Sequence, residues 1–172
     1  MSATLLRPAA APPAPAPPDV WVDAVTVPSA VLGPVPVREC DRVHFPAGLY
    51  GFARARDFAL LPAGRPGLCW MQSTVEPGLV FLLADPFPAF ADYAPDVPDA
   101  ELAALGDGLA PAAEHVAVFA VVTLNGDGTA TANLRAPLLV DVRRRRARQV
   151  LLPAERRGMT EPFALPPADE HA

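Results

Sequence analysis

The chain has 172 residues, 51% of them hydrophobic, with 23 prolines and a formal net charge of −5. That length holds one domain with a sizeable core, and the acidic balance argues against nucleic acid or an anionic membrane as the default partner. Two cysteines, Cys40 and Cys69, make no disulfide framework, and no apolar run reaches membrane-span length, so a cytoplasmic, reduced protein is expected.

Residues 1–18 are rich in alanine and proline and lack any period, which predicts a disordered tail stiffened toward polyproline II. The alternation of Pro and Ala is a poor signal peptide; a proline-rich ligand for another domain is the functional alternative. A folded domain is expected over residues 19–153. Valines at 20, 22, 25, 27, 31, 35 and 37 predict two short strands that turn at Gly33-Pro34. Arg42-Val43-His44-Phe45 is a third strand. Residues 46–52 form a loop whose Gly48 and Gly51 allow positive φ and close backbone approach.

Further strands are expected at residues 58–61, 68–73 and 79–84, each bounded by Pro, Gly or charge. Asp85-Pro86-Phe87-Pro88 ends that run, because proline cannot continue a ladder. Residues 99–105 predict the one helix, with Asp99 as its cap, Glu101 in the first turn and Gly106 as its stop. Residues 116–124 read as a long buried strand, and Asn125-Gly126-Asp127-Gly128 as a tight turn. Residues 129–134 alternate hydroxyl with small or apolar side chains, the period of a half-buried strand. Pro137 then forces a bulge, where one strand bends into the next, with Asn133 and Arg135 placed to satisfy the backbone groups it leaves unpaired. Residues 148–152 close the series, and residues 154–172 read as a partly ordered tail. The class is all-β and mainly antiparallel, a barrel or a sandwich with one short helix.

Chemistry is sparsely signalled. Cys40 and His44 lack the second ligand pair of a zinc site, and an exposed or satisfied histidine is the better reading. His115 has no nucleophile beside it in sequence, Ser29 and Ser73 lack elbow glycines, and no phosphate-binding loop occurs. No catalytic residue, metal or cofactor is therefore expected. Arg143, Arg144, Arg145, Arg146 and Arg148 form the strongest basic feature. They read as a nucleic-acid patch on a small barrel or as a solvated hairpin turn, and no aromatic residues interleave to stack bases.

The acidic residues concentrate elsewhere. Between Arg65 and Arg135 the only basic side chain is His115, while nine carboxylates fall in the same interval. Phe87, Phe90, Tyr93 and Val97 interleave there with Asp85, Asp92, Asp96 and Asp99. Aromatics within an acidic rim suit an interface for a basic, partly apolar partner; they equally suit a cover over the core.

The bulged stretch, Asn133-Leu134-Arg135-Ala136-Pro137-Leu138-Leu139-Val140 followed by Gln149-Val150-Leu151-Leu152, resembles the signature of the FliW family of flagellar assembly factors. Phe45-Pro46-Ala47-Gly48-Leu49-Tyr50-Gly51-Phe52 resembles the family's Phe-Pro-x-Gly-Leu-x-Gly-Phe loop, and Val31-Leu32-Gly33, Met71-Gln72-Ser73, Asp85-Pro86 and Asp92-Tyr93 fall in the family's order. The resemblance implies a small β-barrel-like domain without enzymatic activity. It implies two protein partners, the translational regulator CsrA and flagellin, bound in turn so that flagellin synthesis follows export. A monomer that touches neither RNA nor membrane directly follows from that role. The candidate partner-binding residues are Leu49, Tyr50 and Phe52 in the glycine loop, Asp85, Phe87, Phe90, Asp92, Tyr93, Asp96 and Asp99 in the acidic segment, and Asn133 and Arg135 at the bulge. The chain departs from the family's pattern in the final hairpin, where arginines replace the usual glycine, and in the segment after the last strand, where Arg156 to Phe163 replace a tyrosine and basic residues.

Overall fold

A computed structural model describes residues 23–153 and 157–168 in full and residues 3–5 by backbone. Its strands, in chain order, are β1 (Ala3–Leu5), β2 (Val25–Val27), β3 (Val35–Val37), β4 (Arg42–His44), β5 (Asp57–Pro62), β6 (Leu68–Ser73), β7 (Val80–Ala84) and β8 (Asp96–Pro98). Helix α1 (Asp99–Leu105) follows, then β9 (Val116–Leu124), β10 (Ala130–Asp141), β11 (Arg146–Gln149) and β12 (Glu161–Pro162).

Seven of these strands close into a barrel. The hydrogen-bonded order is β11, β4, β5, β6, β7, β9, β10 and back to β11, with β12 appended to β10. Every pairing around the ring is antiparallel except β11–β4, which closes it in parallel at Arg146 opposite His44. The amide of His44 reinforces that seam by donating to the Arg145 carbonyl at 2.9 Å. Closure leaves these strands no free edge to aggregate.

Alternation along the strands separates two apolar layers. One face of all seven barrel strands fills the interior, with Val43, Phe58, Met71, Leu83, Phe119, Leu138 and Ala147 among its side chains. Along β7, β9 and β10 the other face is buried as well, under α1, the segment that precedes it and C-terminal side chains. There Leu82, Val118, Val122 and Leu139 meet Tyr93, Val97, Leu102, Leu105, Leu152 and Phe163. Burial on both faces explains why β9 and the second half of β10 read as apolar runs rather than alternating ones. A hairpin of β2 and β3 adds a small third cluster of Val27, Val37 and Ala59.

The expected elements appear with shifted ends. The helix spans the expected residues, but Asp99 is its first helical residue and the cap position falls on Pro98, whose side chain has no acceptor. Gly106 terminates it with φ at −91°, so handedness is not why glycine stands there. A Cβ at 106 meets the Leu109 carbonyl oxygen at 1.8 Å, which only glycine avoids. The last barrel strand is Arg146–Gln149 rather than residues 148–152, because the chain leaves the ladder to follow the bulge of β10. In the C-terminal segment, Glu161–Pro162 adds a strand beside Thr131 and Ala132, and Phe163 is buried. Of the alanine- and proline-rich stretch, Ala3–Leu5 pairs antiparallel with β8; the rest of it, residues 154–156 and the last four residues lie outside the described residues.

Candidate protein-binding surfaces

The bulge in β10 lies at the centre of the structure's polar bookkeeping. Pairing with β9 runs from Ala130 to Asn133, breaks, and resumes at Leu138 opposite Phe119. Residues 134–137 therefore lack sheet partners on that side, and each obtains others. The Leu134 carbonyl accepts from the Tyr93 hydroxyl at 2.9 Å. The Arg135 amide donates to the Gly158 carbonyl at 3.2 Å, and the Leu152 amide donates to the Arg135 carbonyl at 2.8 Å. The Ala136 amide donates to Asn133 Oδ1 at 3.0 Å, and Gln149 Nε2 donates to the Ala136 carbonyl at 3.3 Å. The Val150 amide donates to the Pro137 carbonyl at 3.0 Å. Arg135 Nε adds a bond to the Leu152 carbonyl at 3.3 Å. Asn133 and Arg135 thus do what the sequence expects of them: Asn133 Oδ1 and Arg135 Nε both bond backbone groups around the bulge.

The glycine loop is pinned to the barrel mouth. Gly48 has φ of +69°, and a Cβ there meets the Ala53 carbonyl oxygen at 2.5 Å. Leu49 is buried in the barrel interior, and a two-residue bridge joins it to Phe52. Phe52 sits edge-on to Phe81 with ring centroids 5.6 Å apart, and Gln149 Oε1 accepts from the Tyr50 amide at 3.0 Å. Tyr50 is 61% exposed and Phe52 43%. Of the three loop candidates, Leu49 belongs to the core, while Tyr50 and Phe52 present apolar surface on a rigid frame.

The acidic segment is a cover whose apolar side chains face inward. Tyr93 is buried, Phe87 and Phe90 pack partly buried against the outer core, and Phe87 lies 5.9 Å from the Tyr93 ring. Phe90 stacks on Phe163 at 6.3 Å. Burial pushes the Tyr93 phenol up from its ordinary value, so the hydroxyl remains a donor to Leu134. Burial also raises the Asp85 carboxyl, against the opposing effect of the Phe87 amide that donates to it at 3.0 Å. Asp92 is exposed and its pKa is lowered chiefly by its hydrogen bond with Arg157, at 2.5 Å. Asp96 is half-buried and Asp99 exposed. Asp92, Tyr93 and Asp96 line one wall of a cleft of about 280 Å³ whose other wall is Leu152, Pro153 and Arg157.

The arginine run proves to be the counterpart of the acidic residues. Arg144 pairs with Asp141 at 2.9 Å, Arg145 with Glu39 at 3.7 Å, Arg146 with Asp107 at 3.3 Å, and Arg148 with Glu101 on α1. Asp141 is fully buried and accepts from the amides of Arg143 and Arg144, both at 3.0 Å, which shapes the turn into β11. Four of the five arginines thereby have a carboxylate partner. Only the Arg144–Asp141 pair is local in sequence; the other three join positions 39 (146 − 107), 47 (148 − 101) and 106 (145 − 39) apart, so nothing local signals them.

Cys40 and His44 do not converge on a metal geometry. His44 Nδ1 lies 2.7 Å from Asp57 Oδ1, and Cys40 contacts Asp41 instead. Among the described residues no group of three or more His, Cys, Asp or Glu gathers, and no helix is long and apolar enough to cross a membrane. Cys69 is buried, which pushes its thiol up to about 12 and leaves it unreactive at neutral pH.

Comparison with known proteins agrees with this architecture. The sequence profile of the FliW protein family matches residues 26–163. A flagellar assembly factor FliW from Symbiobacterium thermophilum is 41% identical over 123 residues, covering 70% of this chain and 87% of that protein. One from Treponema pallidum is 40% identical over 126 residues, covering 73% of this chain and 82% of its own length. A crystal structure of the flagellar assembly factor FliW superimposes with a TM-score of 0.70 at 28% identity, covering 80% of this chain and 96% of that one. With the barrel, the bulge and the glycine loop all inside the matched region, the chain belongs to the FliW family.

Proposed function

We propose that the chain is a flagellar assembly factor that binds two proteins in turn, a CsrA-type translational regulator and flagellin. The observation that supports this reading is the family relationship, which spans residues 26–163 and so takes in the whole barrel. In the proposed cycle, cytoplasmic flagellin occupies the chain; its export frees the chain to bind the regulator, and repression of the flagellin message is lifted. The role asks for rigid surfaces and no bond-making.

Two features of the geometry suit it. The glycine loop holds Tyr50 and Phe52 outward at little further entropic cost, as preorganised apolar contacts should be. The acidic segment carries Asp92, Asp96 and Asp99 on a frame anchored by Tyr93, and carboxylates docked beside an RNA-binding surface repel phosphate.

The test offers the purified chain a CsrA protein, flagellin and flagellin leader RNA separately, each measured by calorimetry. The proposal expects saturable binding of both proteins and none of the RNA. Binding of flagellin alone replaces it with a flagellin-only chaperone, and RNA binding with a steep salt dependence replaces it with a nucleic-acid-binding barrel.

A further inference from the structure

We propose that the edge of β8 is a docking site for an extended peptide strand, and that β1 of the same chain is its intramolecular competitor. The inference does not rest on the partner cycle above. It rests on a contrast between a firmly held edge and a weakly held occupant.

The edge is firm. Val97, at the centre of β8, is fully buried in the outer core, α1 begins at the next residue after the strand, and Tyr93 just before it is bonded to Leu134. Among the described residues β8 has no strand partner other than β1, with which it forms a separate two-stranded sheet. The occupant is slight. Three residues pair, Ala3 with Pro98, Thr4 with Val97 and Leu5 with Asp96. An isolated two-stranded pairing of this length is marginal. Such a strand exchanges with a competitor and does not lock the site.

The chemistry of the competitor follows from the neighbourhood. Antiparallel pairing sends an incoming strand past Asp96 toward Pro95 and Ala94, which line the cleft of about 280 Å³. That cleft holds two carboxylates, Asp92 and Asp96, against one guanidinium, Arg157, and the guanidinium is already paired with Asp92. Asp96 has no ion-pair partner among the described residues. The fitting partner is therefore an extended segment of another protein with a basic side chain shortly after the paired residues.

The experiment uses the full-length chain, isotope-labelled and followed by NMR at the Val97 amide, with a synthetic peptide of residues 1–8 as probe. Its sequence supplies the strand and a basic residue, Arg7. The comparison protein carries Thr4→Pro and Leu5→Pro, which together remove an inward-facing amide whichever of the two faces β8. The variant is expected to bind the peptide saturably and at least tenfold more tightly than the parent, and to exchange its Val97 amide faster. Adding Asp96→Asn to the variant is expected to weaken the peptide several-fold. Equal titration of parent and variant overturns the proposal, as does an absence of saturable shifts in a variant whose remaining spectrum matches the parent's.

Discussion

The Tyr93 hydroxyl donates to the Leu134 carbonyl at 2.9 Å, so the acidic cover is tied directly to the bulge in β10. Neither group has water as an alternative, because Tyr93 and Leu134 are both buried. Tyr93→Phe keeps the ring and removes the donor, which leaves a buried carbonyl without this partner. The expected loss is about 1–3 kcal/mol, which in a domain of this size is a fall in Tm of roughly 2–10 °C. Differential scanning calorimetry reads it. A Tm equal to the parent's contradicts the anchoring role.

Asn133 supports the same bulge from within. Asn133→Ala removes the acceptor of the Ala136 amide and is expected to destabilise by about 1–2 kcal/mol, whereas Asn133→Asp keeps an oxygen there and loses less. Urea denaturation of the three proteins gives the order parent, Asp variant, Ala variant; an Ala variant as stable as the parent contradicts it.

The two loop glycines separate strain from collision. Gly51 has φ of +82° with open space where a Cβ would go, so Gly51→Ala is expected to lose about 1–2 kcal/mol from backbone conformation alone. Gly48→Ala adds a contact with the Ala53 backbone at 2.5 Å and is expected to lose distinctly more. Equal midpoints for the two variants in denaturation contradict the close approach.

Much of this was written locally in the chain and some was not. Pro137 flanked by Asn133 announces a bulge because a missing donor must be worked around, and the tight turn at 125–128 follows from residue type, with Gly128 at φ of +86°. The parallel seam between Arg146 and His44 has no such signal. It joins positions about a hundred residues apart through a short strand, Arg146-Ala147-Arg148-Gln149, that follows a run of arginines and lacks an apolar alternation. The aromatics of the acidic segment illustrate the remaining ambiguity. Their spacing fits an interface or a cover, and only the tertiary contacts show Tyr93 and Phe90 turned onto the core.

Two buried or half-buried carboxyls should respond to acid in opposite directions. At Asp141 burial works to raise the pKa, but the Arg144 amide and guanidinium and the Arg143 amide outweigh it and hold the group below its ordinary value. The folded state then binds fewer protons than the unfolded one. The stabilisation is present above the unfolded value of about 3.9 and is lost as pH falls through the folded pKa. Asp141→Asn is expected to be less stable at pH 7, with the gap to the parent closing in acid. Asp85 is raised by burial, so its charge opposes folding at neutral pH. Asp85→Asn retains the acceptor for the Phe87 amide and is expected to raise Tm at pH 7. Denaturation midpoints from pH 7 to pH 3 check both; a constant Asp141 gap or a lowered Asp85 variant contradicts the respective assignment.

Replacing Asp92, Asp96 and Asp99 together by asparagine probes the acidic segment as a partner surface. The triple variant is expected to bind a CsrA protein more weakly and with a shallower salt dependence than the parent, while remaining folded by circular dichroism. Unchanged affinity and salt slope remove the electrostatic contribution.

The partner cycle itself is tested most directly by loading the chain with a CsrA protein and titrating in flagellin, with complexes separated by size-exclusion chromatography. The account predicts that flagellin enters the complex and the regulator leaves it in proportion. A chain that keeps its regulator while saturated with flagellin, or that takes up neither protein, contradicts it.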